Sequence, residues 1–261
     1  MRALDIAATG MDAQQTRVEV ISQNLANMST TAYNARRADF ADLHYQQLVQ
    51  PGTVNAADGT TLPTGVQLGL GVRVSAVSME IMQGSLQATG GELDIAIEGE
   101  GYLEITLPSG LSAYTRDGAL KRNADGVIVT SDGYEIAGGI TIPEDTRSLT
   151  INADGEVYAS FDDQVAPQLL GAFTLSNFVN QKGLEAIGGN LYLETPASGQ
   201  PTLGAPGEEG RGTLRQGYLE SSSVDAVREI SDLIAAQRGY ELNAKVITAA
   251  DQMLAATTQI R

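Results

Sequence analysis

The sequence predicts an α+β protein: a discontinuous helical domain built from the two ends of the chain as an antiparallel coiled coil, plus a central all-β domain. Three observations carry this expectation. Of 29 glycines, 27 fall within residues 46–217, and so do all 8 prolines, which leaves the ends almost free of chain breakers. Charge divides the same way: residues 1–45 carry a net −1, residues 218–261 a net −2, and the middle −13 of the total −16. Apolar residues recur every seven positions at both ends and alternate in short runs between them. The boundaries expected are 1–30 with 219–261 for the helical domain, 31–71 for a connecting segment, and 72–218 for the β domain.

The first element is a helix over residues 3–28. Leu4, Met11, Val18 and Leu25 repeat every seven residues, and Ala7, Gln14, Ile21 and Met28 interleave with them. This is an a/d heptad pattern with one polar position, Gln14. Asn27-Met28-Ser29-Thr30-Thr31 then favours termination. The last element is a helix over residues 224–260. Leu233, Tyr240, Ile247 and Leu254 form its heptad, widened by Val246, Met253 and Ile260, with Ala236 and Ala250 as small neighbours. Ser221-Ser222-Ser223 offers hydroxyls for its N-cap, with Asp225 three residues after Ser222. A helix of that length, about 55 Å at ~1.5 Å per residue, outreaches a small domain, which favours pairing with the other helix or with further copies.

The middle reads as strands joined by tight turns. Asp58-Gly59, Asp117-Gly118, Asp125-Gly126, Asp132-Gly133 and Asp154-Gly155 are turn dipeptides. Between them lie β-rich runs at 72–77, 93–97, 102–107, 127–129, 148–151 and 156–158, several alternating apolar-in and polar-out. Residues 46–68 lack periodicity and contain Pro51-Gly52 and Pro63, so they read as a long loop, either a linker or an element ordered by partners.

Composition excludes several functions. With no cysteine there is no disulfide, thiolate metal site or cysteine nucleophile. No apolar run approaches the roughly 18 residues that span a membrane, and the first residues do not form a cleavable signal. An acidic chain is a poor general nucleic-acid binder. The one histidine, His44, has only Asp42 as a nearby acid–base partner, and no Gly-x-Ser-x-Gly elbow is present. Asp94, Glu98, Glu100 and Glu104 occupy even positions and would face one another in a glycan-binding or glycan-cleaving module. The simpler reading makes them the solvent face of a strand whose Ile95 and Ile97 point inward. Gly99-Glu100-Gly101 lacks the third glycine and following helix of a dinucleotide loop, and no Asp-Gly turn has the acidic run of a calcium loop. Neither a catalytic site, a cofactor nor a metal is expected.

The motifs then resemble those of the bacterial flagellar rod and hook axial proteins. Thr9-Gly10-Met11-x-Ala13-Gln14-Gln15, Ser22-Gln23-Asn24-Leu25-Ala26-Asn27 and Thr31-Ala32-Tyr33 are similar to the family's N-terminal signature. Gln216-Gly217-Tyr218-Leu219-Glu220, followed by Gln237-Arg238-x-Tyr240-Glu241-x-Asn243, is similar to its C-terminal one. Gln83-Gly84-Ser85-Leu86, Leu93-Asp94-Ile95-Ala96-Ile97 and Tyr114-Thr115-Arg116-Asp117-Gly118 resemble its β domain. Asn34 and Ser223 depart from the pattern, standing where many members have Lys and Asn. The stretch Tyr45-Gln46-Gln47-Leu48-Val49-Gln50-Pro51-Gly52, leading to Leu62-Pro63, resembles the insert of the straight distal-rod branch rather than proximal rod or hook members.

That resemblance implies a structural subunit with no catalysis. It implies a helical homopolymer that transmits torque, with proximal rod proteins, hook protein, surrounding ring proteins and the flagellar type III export apparatus as partners. It places the chain in the rod that crosses the periplasm, exported without a cleavable signal. It assigns Leu4, Met11, Val18, Ile21, Leu25, Leu233, Tyr240, Ile247 and Leu254 to the assembly seam, and Tyr45, Gln46, Gln47, Pro51, Gly52, Leu62 and Pro63 to a segment that stiffens the tube.

Overall fold

A computed structural model describes residues 2–51, 64–162 and 166–259. The chain divides into two compact units. One comprises 1–26, 36–79 and 225–261, the other 27–35 and 80–224.

The first unit holds both long helices. Helix α1 spans Arg2–Ala26 and α2 spans Ala226–Gln259. They run antiparallel: Gly10 lies against Asn243 and Gly239 against Gln14, while Arg17 bonds Asp232 at 2.8 Å. Helix α1 stops at Ala26, where Asn27 O accepts from the Thr30 N–H at 3.1 Å and closes a turn. The cap of α2 differs from the one expected. Asp225 Oδ1 accepts from the Val227 and Arg228 N–H groups, because a carboxylate at a helix N-terminus satisfies both the orphan donors and the helix dipole. The serines before it bond elsewhere: Ser223 Oγ accepts from the Ala35 N–H, and Ser221 Oγ donates to Ser85 O.

Four strands complete this unit. They are β1 (Arg36–Asp42), β2 (Tyr45–Val49), β3 (Val66–Gly69) and β4 (Val72–Met79). β1 pairs antiparallel with β4, and β2 with β3. β4 therefore belongs with the helices and not at the start of the central β region, since its ladder partner lies before residue 45. The predicted loop 46–68 is also corrected at both flanks. Gln46 faces Leu68 and Gln47 faces Gln67 in a ribbon interrupted by one bulge. The sequence hides this ribbon because every β2 residue is exposed, so no face alternates.

The second unit is a β structure. Its largest sheet runs from Glu185–Gly188 through Leu191–Leu193, Ser112–Thr115, Tyr102–Thr106, Glu135–Ile136 and Ile128–Val129 to Lys121–Arg122. A three-stranded sheet of Thr146–Ile151, Glu156–Phe161 and Gln168–Ala172 joins the same core. Leu103, Ile105, Val157, Phe173 and Leu175 are among its buried members. Ile95–Glu98 departs from the alternation expected of it: Ile95, Ala96 and Ile97 are all buried, with Ala96 between the two isoleucines covered as well. Three of the Asp-Gly pairs turn as expected, with Gly126, Gly133 and Gly155 at φ of +84°, +87° and +86°. Gly118 is different. A Cβ there would collide with the Ile95 carbonyl, so its glycine serves close approach and not a left-handed turn.

Candidate assembly surface

The buried residues of α1 and α2 are mostly alanines. Ala236 and Ala250 are 0% and 1% exposed, and Ala7, Ala13, Val20 and Ile21 are buried on α1. The large heptad residues Leu4, Met11, Val18, Leu25, Leu233, Ile247 and Leu254 are only half-covered, and Tyr240 is exposed. Of the expected set Ile21 is buried, and the others flank the contact between the two helices. Gly10 and Gly239 contribute to this arrangement: each, lacking a Cβ, admits an amide side chain of the opposite helix, Asn243 and Gln14, between the two backbones.

Helix α2 carries more apolar surface than one partner covers. Val227, Ile230 and Ile234 lie on the side away from Ala236, and Leu242, Val246 and Met253 on a flank, with Leu242 and Met253 61% and 60% exposed. A helix that is apolar on several faces is one built for several neighbours. The β2–β3 ribbon repeats this character, exposing Tyr45, Leu48, Val49, Val66 and Leu68. A two-stranded ribbon in water is marginal by itself. A hydrogen bond to Asp42 pushes the Tyr45 hydroxyl pKa up. Gln46 and Gln47 lie in this ribbon and Pro51 just beyond it; Gly52, Leu62 and Pro63 lie outside the described residues, as does Asp58-Gly59.

Asn24 shows why a signature residue has its chemistry. It is 1% exposed at the end of α1. Its Oδ1 accepts from the Arg36 N–H at 2.8 Å, and its Nδ2 donates to Arg36 O at 2.8 Å and to Glu229 Oε1 at 3.1 Å. One amide thus imitates a strand partner for the first residue of β1 and also holds α2. Leu25 is half-buried, Ala26 exposed, and Asn27 O closes the turn already described. Gln237 and Arg238 are exposed, and Asn243 packs on Gly10.

In the second unit the sequence motifs conceal a buried ion pair. Arg116 Nε and Nη2 donate to Glu220 Oε2 at 3.1 and 2.9 Å, with side chains 8% and 4% exposed. Nη1 also donates to Gly99 O and Gly101 O at 3.0 Å each. Glu220 Oε1 accepts from the Gly84 N–H. Burial pushes the Tyr102 hydroxyl pKa well above its ordinary value, while the Arg116 guanidinium 5.9 Å from the ring centroid acts in the opposite direction. The signal was present, since Arg116 and Glu220 both stand in motif blocks, but nothing in spacing alone joins residues 104 apart.

The proposed carboxylate set is not assembled. Asp94 accepts from Thr89 Oγ1, Glu98 reaches Arg215 at 3.7 Å, and Glu98 and Glu100 are exposed. No group of three His, Asp or Glu suited to a metal occurs among the described residues. His44 is exposed, and its carbonyl accepts from the Leu70 N–H. No helix among the described residues is long and apolar enough to cross a membrane. The departures have structural places too: Asn34 is buried, and Ser223 Oγ caps the Ala35 N–H.

Comparison with known proteins agrees along the whole chain. Three family models match: the flagella basal body rod protein at residues 4–33, the flagellar hook protein FlgE/F/G D1 domain at 96–159, and the flagellar basal body rod FlgEFG protein C-terminal region at 215–260. The flagellar basal-body rod protein FlgG of Caulobacter vibrioides is 53% identical over 261 residues, covering 100% of both chains. That of Agrobacterium fabrum is 49% identical over 97% of each chain, and that of Bacillus subtilis 36% over 97% of each. With identity this high from end to end, the chain belongs to the flagellar basal-body rod protein FlgG family.

Proposed function

We propose that the chain is a structural subunit that self-assembles into the straight tubular distal rod of the bacterial flagellar basal body, the drive shaft that passes torque to the hook. The observation that carries this is the apolar surface left on α2 after α1 has been packed. In the assembled rod that surface is covered by the helix pairs of neighbouring copies, and the pair behaves as a coiled coil with further coils against it. A head-to-tail contact that does not close into a ring gives a helical filament. Each Leu or Ile buried this way contributes about 1.5–3 kcal/mol, so the flanking heptad residues supply an assembly drive that the isolated chain does not use. The near-neutral ends keep repulsion low where many copies pack.

The same reading gives the β2–β3 ribbon and the residues beyond it, including Gly52, Leu62 and Pro63, the task of wedging between copies and keeping the tube straight. Proximal rod proteins and hook protein meet the two ends of the rod, ring proteins surround it, and the export apparatus delivers the subunit to the periplasm. The work is mechanical and requires no catalytic group. Ile247→Asp is the test. The variant should stay in the supernatant on ultracentrifugation under conditions where the parent chain pellets as filaments, while the second unit keeps its unfolding transition. Normal filaments from Ile247→Asp would sink the reading. Deleting 46–68 should leave the second unit folded and yield rods of altered straightness in electron micrographs; unaltered straight rods would refute the stiffening role.

A further inference from the structure

Gly10 and Gly239 are the two glycines outside the β region, and each lies inside a long helix, where glycine is a poorer helix former than alanine. Each faces an amide side chain of the opposite helix. A Cβ on Gly10 would sit 2.8 Å from Asn243 Nδ2, and one on Gly239 would sit 3.1 Å from Gln14 Cδ. The two contacts are reciprocal, each helix giving one glycine and receiving one amide. Hydrogen bonding does not explain them, because Gln14 Oε1 is buried without a partner and such a group opposes folding.

The heptads cannot choose a register by themselves. Leu4, Met11, Val18 and Leu25 against Leu233, Tyr240, Ile247 and Leu254 present large apolar residues again after a slide of seven. Arg17 loses Asp232 in such a slide, yet in one direction finds Asp225 in its place, and an exposed pair contributes little. The glycine–amide pairs do discriminate. In that direction Gln14 comes opposite Asp232 and Asn243 opposite Ala3; in the other, Gln14 comes opposite Val246 and Asn243 opposite Arg17. Either slide removes the space both amides occupy.

We propose that Gly10–Asn243 and Gly239–Gln14 are the register-determining contacts of the terminal helix pair, tolerated at a cost in helix stability because they reject the heptad-slid alternatives. A single polar residue at a core position is a known means of fixing register in coiled coils; here the fixing element is a bulky amide matched to a glycine on the facing helix. The inference concerns pairing within one chain and does not rest on rod assembly.

The test uses the full-length chain, which has no cysteine of its own. Ser22→Cys and Ser231→Cys, both at exposed positions at the same level of the pair, carry spin labels. The labelled chain is diluted in unlabelled chain so that only intrachain distances are read, with trimethylamine N-oxide added to favour burial and helix content followed by circular dichroism. The parent should give one narrow distance. Combining Gly10→Ala, Gln14→Ala, Gly239→Ala and Asn243→Ala should keep or raise helix content and add a second population displaced by about 10 Å along the axis, seven residues at ~1.5 Å each. As a second measurement, Gly10→Ala alone should lower the melting temperature of the helices despite alanine's better propensity, and Asn243→Ala added to it should restore it. A single parent-like distance in the fourfold variant would overturn the proposal. So would loss of its helices, which would make these residues necessary for helix formation instead of register, or a broad distance in the parent.

Discussion

The two units solve the same problem of burying polar and apolar groups in opposite ways. In the β unit a buried charge, the Arg116 guanidinium, is met by one carboxylate and several carbonyls of the same chain. In the helical unit, large side chains such as Leu242 and Met253 stay in water. The acidic, glycine-rich body thus meets this buried charge within its own chain, whereas the near-neutral helix α2 keeps apolar surface exposed along its length.

The strongest way to break this contrast is to remove one half of the buried ion pair. Arg116→Ala leaves Glu220 buried and unpaired and should cost about 3–5 kcal/mol, read as a lower denaturant midpoint of the β unit. A loss under 1 kcal/mol would show that the body does not depend on that closure. Next in size, Val246→Asp places a charge on exposed surface of α2. It should leave the unfolding of the free chain unchanged and abolish pelleting, removing about 2 kcal/mol of burial per contact. A destabilised free chain would mean that the residue already has its neighbour. Asn24→Ala breaks three hydrogen bonds and should cost about 1–3 kcal/mol, with faster hydrogen exchange at the Arg36 amide.

The smallest effect concerns pH. Burial raises the Asp117 pKa above its ordinary 3.8, against the lowering action of the Ala119 N–H. The folded state therefore holds its proton to higher pH than the unfolded one, and stability falls as pH rises from about 3.8 through the raised value. Asp117→Asn, which keeps the acceptor for Ala119, should be slightly more stable than the parent at neutral pH. That advantage should shrink on acidification through this window and vanish below it. An advantage independent of pH would assign it to something other than the titration.

Much of the architecture was legible because the ends obey period seven and the middle obeys turn chemistry. Both helices lie within a few residues of their expected bounds, and the runs at 102–107, 148–151 and 156–158 all contain strands. What escaped depended on contacts between distant residues. The small-residue contact between the two helices was missed because heptads identify large apolar positions and not the closeness that Gly10 and Gly239 permit. β4 was misplaced because ladder partners are set by register, and the Tyr45–Val49 strand was missed because a ribbon exposed on both faces has no alternation to detect. Arg116 and Glu220 each stand within a family motif, yet their pairing has no local signature.

That pairing also orders events in time. Glu220 reaches back 136 residues to the Gly84 N–H and 104 to Arg116, so for a chain emerging from its N-terminus the body cannot close until nearly all of it has appeared. Long-range closure of this kind slows folding. The acidic body therefore stays open while most of the chain is being synthesised, and it latches only as α2 begins to follow.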